Sequence, residues 1–140
     1  MVAARLKQMF RYFFRRYDSR NDPEVRRVLS EEEFCVFENM DDYDKLHSFS
    51  LYRRIKSHPL FEGDLVYHKL ALLHDCAKAH SGFAVRLREV ALERSGISDH
   101  ARKGAVLLRG INPALAGLCG RHHDRTDDPK MKEFQRLDDG

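Results

Sequence analysis

The sequence predicts an all-α fold, a single-domain helical bundle, on three observations. Apolar residues recur at helical spacing nearly throughout. Prolines occur only at positions 23, 59, 113 and 129, each at a break or a helix start, and no alternating stretch of strand length is present. With 140 residues, 42% hydrophobic and 34% charged content, the chain is long enough to bury one ordinary core and is neither disordered nor fibrous in composition. It has no internal repeat and no low-complexity segment. No run approaches the roughly 18 apolar residues of a membrane span and no cleavable apolar leader is visible, so a soluble, cytoplasmic protein is expected. Cys35, Cys76 and Cys119 are odd in number and lack metal-type pair spacing, which favours reduced thiols.

Each element follows from local chemistry. A first helix over 2–17 places Leu6, Met9, Phe10, Phe13, Phe14 and Tyr17 on one face. Ser30 followed by Glu31, Glu32 and Glu33 is a capping box opening a short helix through Met40. Asp41 and Asp42 open another, with an inward stripe of Tyr43, His47, Ser50/Leu51 and Arg54/Ile55. Asp64 caps a nearly continuous apolar helix from Leu65 to about Lys78, read as the buried central helix. Further helices are expected over 83–94, from Asp99 or His100 through Leu108, from Asn112-Pro113 through His122, and from Asp128-Pro129 onward.

Net charge is +3, unevenly placed: residues 1–20 hold Arg5, Lys7, Arg11, Arg15, Arg16 and Arg20 against Asp18, a local excess of +5. This divides the chain into a basic amphipathic helix and linker (1–29) and a helical domain (30–140). The Phe/Tyr stripe at 9–17 reads as a packing face, with attachment to anionic lipid the lesser alternative. Nucleic acid is the weakest partner, because nothing outside residues 5–20 supports it.

Eight histidines carry the functional argument. His47 is in step with Tyr43 and Leu51. His74 shares a face with Tyr67, Leu70 and Ala71 and is followed by Asp75. His122 extends the stripe Ile111, Leu115, Leu118, Cys119, with His123 beside it, and Asp138 continues Met131 and Phe134. Inward polar groups need partners, since an unpaired buried polar group costs about 1–3 kcal/mol and a buried charge more. Imidazoles and carboxylates from different helices satisfy one another by sharing a metal ion. Nitrogen and oxygen donors suit iron, manganese, cobalt, nickel or zinc. His58, His68 and His80 read as structural, and Cys76 and Cys119 as small core residues with no activating histidine.

Four stretches, "DKLHSFSLYRRI", "LALLHDCAKAH", "DHARKGAVLLRGINPALAGLCGRHH" and "MKEFQRLDDG", in that order resemble the HD-domain superfamily of metal-dependent phosphohydrolases. The likeness covers roughly residues 30–139 and implies a helical bundle of the HD-domain type with a metal site inside the bundle. Carried over by position, it implies that His47, His74, Asp75 and Asp138 form the basic metal site. His100, His122 and His123 match the extra ligands of two-metal subgroups, such as the HD-GYP and diadenosine-tetraphosphate-hydrolysing branches, with Asp75 bridging. Lys78, three residues after Asp75, matches the signature lysine that reaches a substrate phosphate. Cys76 and Ala77 stand where the signature usually has Ile-Gly. No Gly-Tyr-Pro element follows in "RHHDRTDDPK", so cyclic-di-GMP hydrolysis has no motif support. Either Asp138 or Asp139 serves as the last ligand; the stripe favours Asp138.

The resemblance therefore implies a divalent-metal phosphohydrolase with one or two ions, in which metal-activated water attacks a nucleotide or other phosphate ester and Asp75 and Lys78 serve catalysis. Arg109 and Arg121 are weaker phosphate candidates, read as ordinary surface charges. The alternative is an HD-type nucleotide-sensing or regulatory module of weak or absent turnover. A homodimer through the N-terminal helix is a further possible assembly.

Overall fold

A computed structural model of the chain describes residues 2–13, 15–78 and 99–140. His80, the helix expected over 83–94 and Phe14 lie outside the described residues, as do the side chains of Met9 and Phe13 from the first helical stripe. The described residues form eight α-helices and two short 3-10 turns, with no strand among them. The helices are α1 (Val2–Phe13), α2 (Asp22–Val28), α3 (Glu31–Glu38), α4 (Asp42–Lys56), α5 (Leu65–Leu73), α6 (His100–Arg109), α7 (Pro113–Arg121) and α8 (Pro129–Asp139). None is long and apolar enough to cross a membrane.

The helix starts follow the local signals. Ser30 and Glu33 form a reciprocal capping box: the Glu33 N–H donates to Ser30 Oγ (3.2 Å), and the Ser30 N–H donates to Glu33 Oε1 (2.9 Å). Asp64, Asn112 and Asp128 accept from Tyr67 N, Leu115 N and Lys130 N, and Pro113 and Pro129 occupy first-turn positions whose missing N–H costs nothing.

Two helices end sooner than their patterns predict. The first does not reach Tyr17, since residues 15–17 are not helical. Tyr17 instead turns its ring edge-on to Phe37 and Phe49 and donates its hydroxyl to Asp22 (2.9 Å), while Asp18 caps the next turn. The central helix stops at Leu73, not Lys78. His74 Nδ1 lies 3.0 Å from the Ala71 carbonyl, which can only accept, so the imidazole donates to the oxygen that the Asp75 N–H would otherwise take. The chain then tightens into i→i+3 turns, Cys76 N to Leu73 O and Lys78 N to Asp75 O.

α5 is the centre of the bundle, packed against α4 on one side and α7 on another, with α8 against α4 and α6 against α7. Leu70, Ala71, Leu72 and Leu73 are fully buried, as are Leu51 and Ile55 from α4, Leu108 from α6, Leu115 from α7 and Phe134 from α8. Each of the leucine, isoleucine and phenylalanine side chains contributes about 1.5–3 kcal/mol of burial. Val25 and Leu29 belong to the same core, so burial begins ahead of residue 30. At the α6–α7 contact, a Cβ on Gly104 would lie 2.8 Å from Cys119 Sγ, closer than two such atoms approach, so glycine is what lets these helices meet. The chain reverses into α5 through Gly63, whose φ of +69° suits glycine.

Candidate metal centre

The bundle brings the ends of α5, α7 and α8 together with the middle of α4 and the start of α6. His74 and His122 occupy equivalent places, the C-cap positions that follow α5 and α7. His122 Nδ1 lies 2.6 Å from the Cys119 carbonyl, as His74 Nδ1 lies against that of Ala71. In both rings Nδ1 is thereby the donor and Nε2 carries the free lone pair when the ring is neutral, the tautomer that binds a metal through Nε2.

Around His74 Nε2 stand two carboxylates, Asp138 Oδ1 at 3.2 Å and Asp75 Oδ2 at 3.3 Å, and Asp138 Oδ1 is 2.9 Å from His47 Nε2. The second oxygen of Asp75 faces the other way, with Oδ1 3.3 Å from His100 Nε2. His100 Nε2 in turn lies 3.0 Å from His123 Nε2, and the His122 and His123 ring centres are 4.0 Å apart. Two ligand groups result among the described residues: His47, His74 and Asp138, and His100, His122 and His123. Within each, the ligand atoms lie within 4.8 Å of one another. Asp75 has one oxygen toward each group.

The seven residues proposed from sequence are therefore in one place. His74, Asp75, His100 and His122 are buried, His47 and Asp138 nearly so, and His123 is exposed at the rim. Asp138 is the inward carboxylate. Asp139 points away and pairs with Arg5 of α1. Lys78 Nζ is 3.0 Å from Asp75 Oδ2, so it touches the carboxylate it was expected to sit beside. Arg109 and Arg121 are exposed on the surface.

The other singled-out residues are structural. His68 Nε2 donates to the Phe61 carbonyl (2.9 Å), and His58 caps a 3-10 turn through Nδ1 while Nε2 meets Glu133. Cys119 Sγ lies 3.6 Å from the His74 carbonyl. Contact with the Cys76 thiol, burial and the charge of Asp75 all push the Cys119 thiol pKa up, so it is no nucleophile. The buried carboxylate and hydroxyl of Asp44 and Ser48 were not singled out from sequence; they fall one turn apart on α4, where the stripe of larger apolar residues masks them.

The electrostatics are those of a buried charge cluster. Burial opposes ionisation of Asp75, but His74 and Lys78 outweigh it and hold its pKa well below the usual carboxylate value. Asp138 is held low against burial in the same way by His74 and His47. Burial alone would lower the His74 pKa, yet the two carboxylates raise it well above 6.5. His122, with no carboxylate so close, is pushed down to about 3 by burial, then by His123 and His74. It therefore remains a neutral imidazole, the form that ligates.

The fit to a cation rests on atoms left over. His74 Nε2 and His122 Nε2 are fully buried and have no hydrogen-bond partner of acceptable geometry. One is in each ligand group, and each is turned inward by its anchored Nδ1. A nitrogen lone pair facing carboxylate oxygens is a repulsive arrangement that a proton or a metal ion resolves, and the donor set of imidazoles and carboxylates suits a divalent transition metal.

No family model matches the chain, and no curated protein or solved structure matches it either.

Proposed function

We propose that the chain is a divalent-metal-dependent phosphohydrolase of the HD-domain type, acting on a nucleotide or other phosphate ester by metal-activated water. The resemblance of four ordered stretches supports the family and substrate class. The observation that carries the chemistry is the pair of buried Nε2 atoms of His74 and His122 that make no hydrogen bond, one residue from each ligand group.

His47, His74 and Asp138 would hold one ion and His100, His122 and His123 a second, with an oxygen of Asp75 available to each; iron, manganese, cobalt, nickel and zinc all suit these donors. When bound, such a cation supplies Lewis acidity, making water acidic enough (pKa from about 15.7 to near 7) to act as a nucleophile at neutral pH. The chain's own residues do the rest. The Ala71 and Cys119 carbonyls fix two imidazoles in the ligating tautomer, and Lys78 keeps Asp75 ionised and brings positive charge beside the place a phosphate would occupy. No thiol takes part.

The engagement of Lys78 by Asp75 favours one second reading, an HD-type module that binds a nucleotide without turning it over. One experiment separates the two. Protein purified under reducing, anaerobic conditions is assayed for metal, then offered a panel of nucleotides and generic phosphodiesters. The phosphohydrolase reading expects about one or two ions per chain, hydrolysis stimulated by added manganese or iron, and turnover abolished by His74→Ala. Asp138→Ala should weaken metal binding, whereas Asp139→Ala should not. Thermal stabilisation by a nucleotide without product selects the sensing module, and absence of metal after reconstitution overturns the phosphohydrolase reading.

A further inference from the structure

We propose that the outward flank of α1 docks on an anionic lipid surface. The first 17 residues carry five basic side chains and no acidic one, whereas the whole chain has a net charge of only +3, so positive charge is concentrated at this end. α1 is held to the body on one side: it packs on α4, Val2 and Leu6 are partly buried, and Arg5 pairs with Asp139 at the end of α8. On the adjoining flank Ala3, Lys7 and Phe10, at helical steps of four and three, are exposed, with 51% of Phe10 accessible. Arg15 and Arg16 are exposed just past the end of the helix.

An aromatic side chain beside Lys7 on one exposed flank, with Arg15 and Arg16 beyond the helix and no acidic residue in the first 17, is the composition of a helix lying in the plane of a membrane interface. The ring enters the acyl boundary and the basic heads meet anionic headgroups. A nucleic acid offers the same negative charge but gives an exposed Phe and Ala no apolar layer to enter, so a bilayer uses more of this surface. Because positive charge lies at one end, the molecule would approach with α1 foremost. The proposal does not depend on the metal reading.

The test is sedimentation of the intact protein with vesicles of phosphatidylcholine alone or with about a third phosphatidylglycerol, at low and high salt. Binding is expected only to the anionic vesicles and should weaken at least about tenfold on going from about 50 to 300 mM salt, where screening cuts surface attraction. Neutralising Lys7, Arg15 and Arg16 together to Gln should weaken it about a hundredfold, at about fivefold per charge. Phe10→Ser should weaken it while leaving the salt dependence. The triple variant alters exposed positions alone, so unchanged circular dichroism and melting temperature confirm its fold. Equal sedimentation with both vesicle types, no sedimentation with either, or salt-sensitive binding to a single-stranded oligonucleotide without vesicle binding each overturns the proposal.

Discussion

Two buried polar clusters in this bundle are built on opposite principles. In the first, the Glu33 carboxylate, 2% exposed, is satisfied from within: Oε1 accepts from Lys69 Nζ (2.6 Å) and from the Ser30 N–H, and Oε2 accepts from Asn112 Nδ2 (3.4 Å). A single ion pair, a helix cap and an amide link α3, α5 and the start of α7. In the second, imidazoles and carboxylates crowd together and two ring nitrogens end with no hydrogen-bond partner. The Glu33 cluster needs nothing more, whereas the His/Asp cluster, even with Lys78 on Asp75 and a His74 pKa raised by two carboxylates, keeps two buried ring nitrogens outside any hydrogen bond. A self-sufficient polar cluster holds a fold together; an incomplete one of imidazoles and carboxylates offers donor atoms that could hold a metal ion.

Metal is the strongest way to break that contrast. Adding manganese or zinc to metal-free protein, at about 100 times the dissociation constant, should stabilise the wild type by about 2.7 kcal/mol in a thermal melt. Asp75→Ala removes the carboxylate facing both ligand groups and should abolish the response, whereas Glu33→Gln should keep it. Stabilisation of Asp75→Ala equal to wild type would erase the distinction between the clusters.

A smaller effect is expected from the self-contained cluster. Glu33→Gln leaves Lys69 without its counter-charge and should cost about 2 kcal/mol in denaturant unfolding. That is less than a fully buried broken pair, because Lys69 keeps some contact with water. Metal content should not change. A loss of metal in this variant would show that the two clusters are energetically one.

The pH dependence of the metal-free protein separates them again. His122 has its pKa lowered from 6.5 to about 3 on folding, so the unfolded chain binds the proton first. Its contribution is present above pH 6.5 and is lost as pH falls from there toward 3. The raised pKa of His74 gives a contribution fully present below 6.5 and lost only as pH rises, so it is flat in this window. Asp75 and Asp138, lowered from 3.8, are flat above that value. Burial opposes ionisation of Glu33, but Lys69 and Ser30 outweigh it and lower its pKa from 4.5, so its contribution is lost only below about 4.5. Stability should therefore fall by about 1–2 kcal/mol between pH 6.5 and 4.5. His122→Phe should flatten that slope, and Glu33→Gln should leave it and reduce the further loss at lower pH. A slope unchanged in His122→Phe would refute the assignment.

What the amino-acid order determined alone is local. Ser30 with Glu33, Asp64, Asn112 before Pro113 and Asp128 before Pro129 open their helices because a cap bonds to an N–H two or three residues away, within reach of sequence. The inward placement of His47, His74, His122 and Asp138 follows from helical spacing, another short-range rule. Tertiary structure decided whatever depends on helices meeting. Asp138 faces His47 and His74 while Asp139 goes to Arg5, a choice between adjacent residues made by the position of α8 against α4 and α1. Lys78 turns onto Asp75, and both His74 and His122 close their own helices with Nδ1, because the chain reached its meeting point at those residues. Caps and stripes are set by neighbours in the chain; which atom faces which across the site is set by neighbours in space, and periodicity carries no record of them.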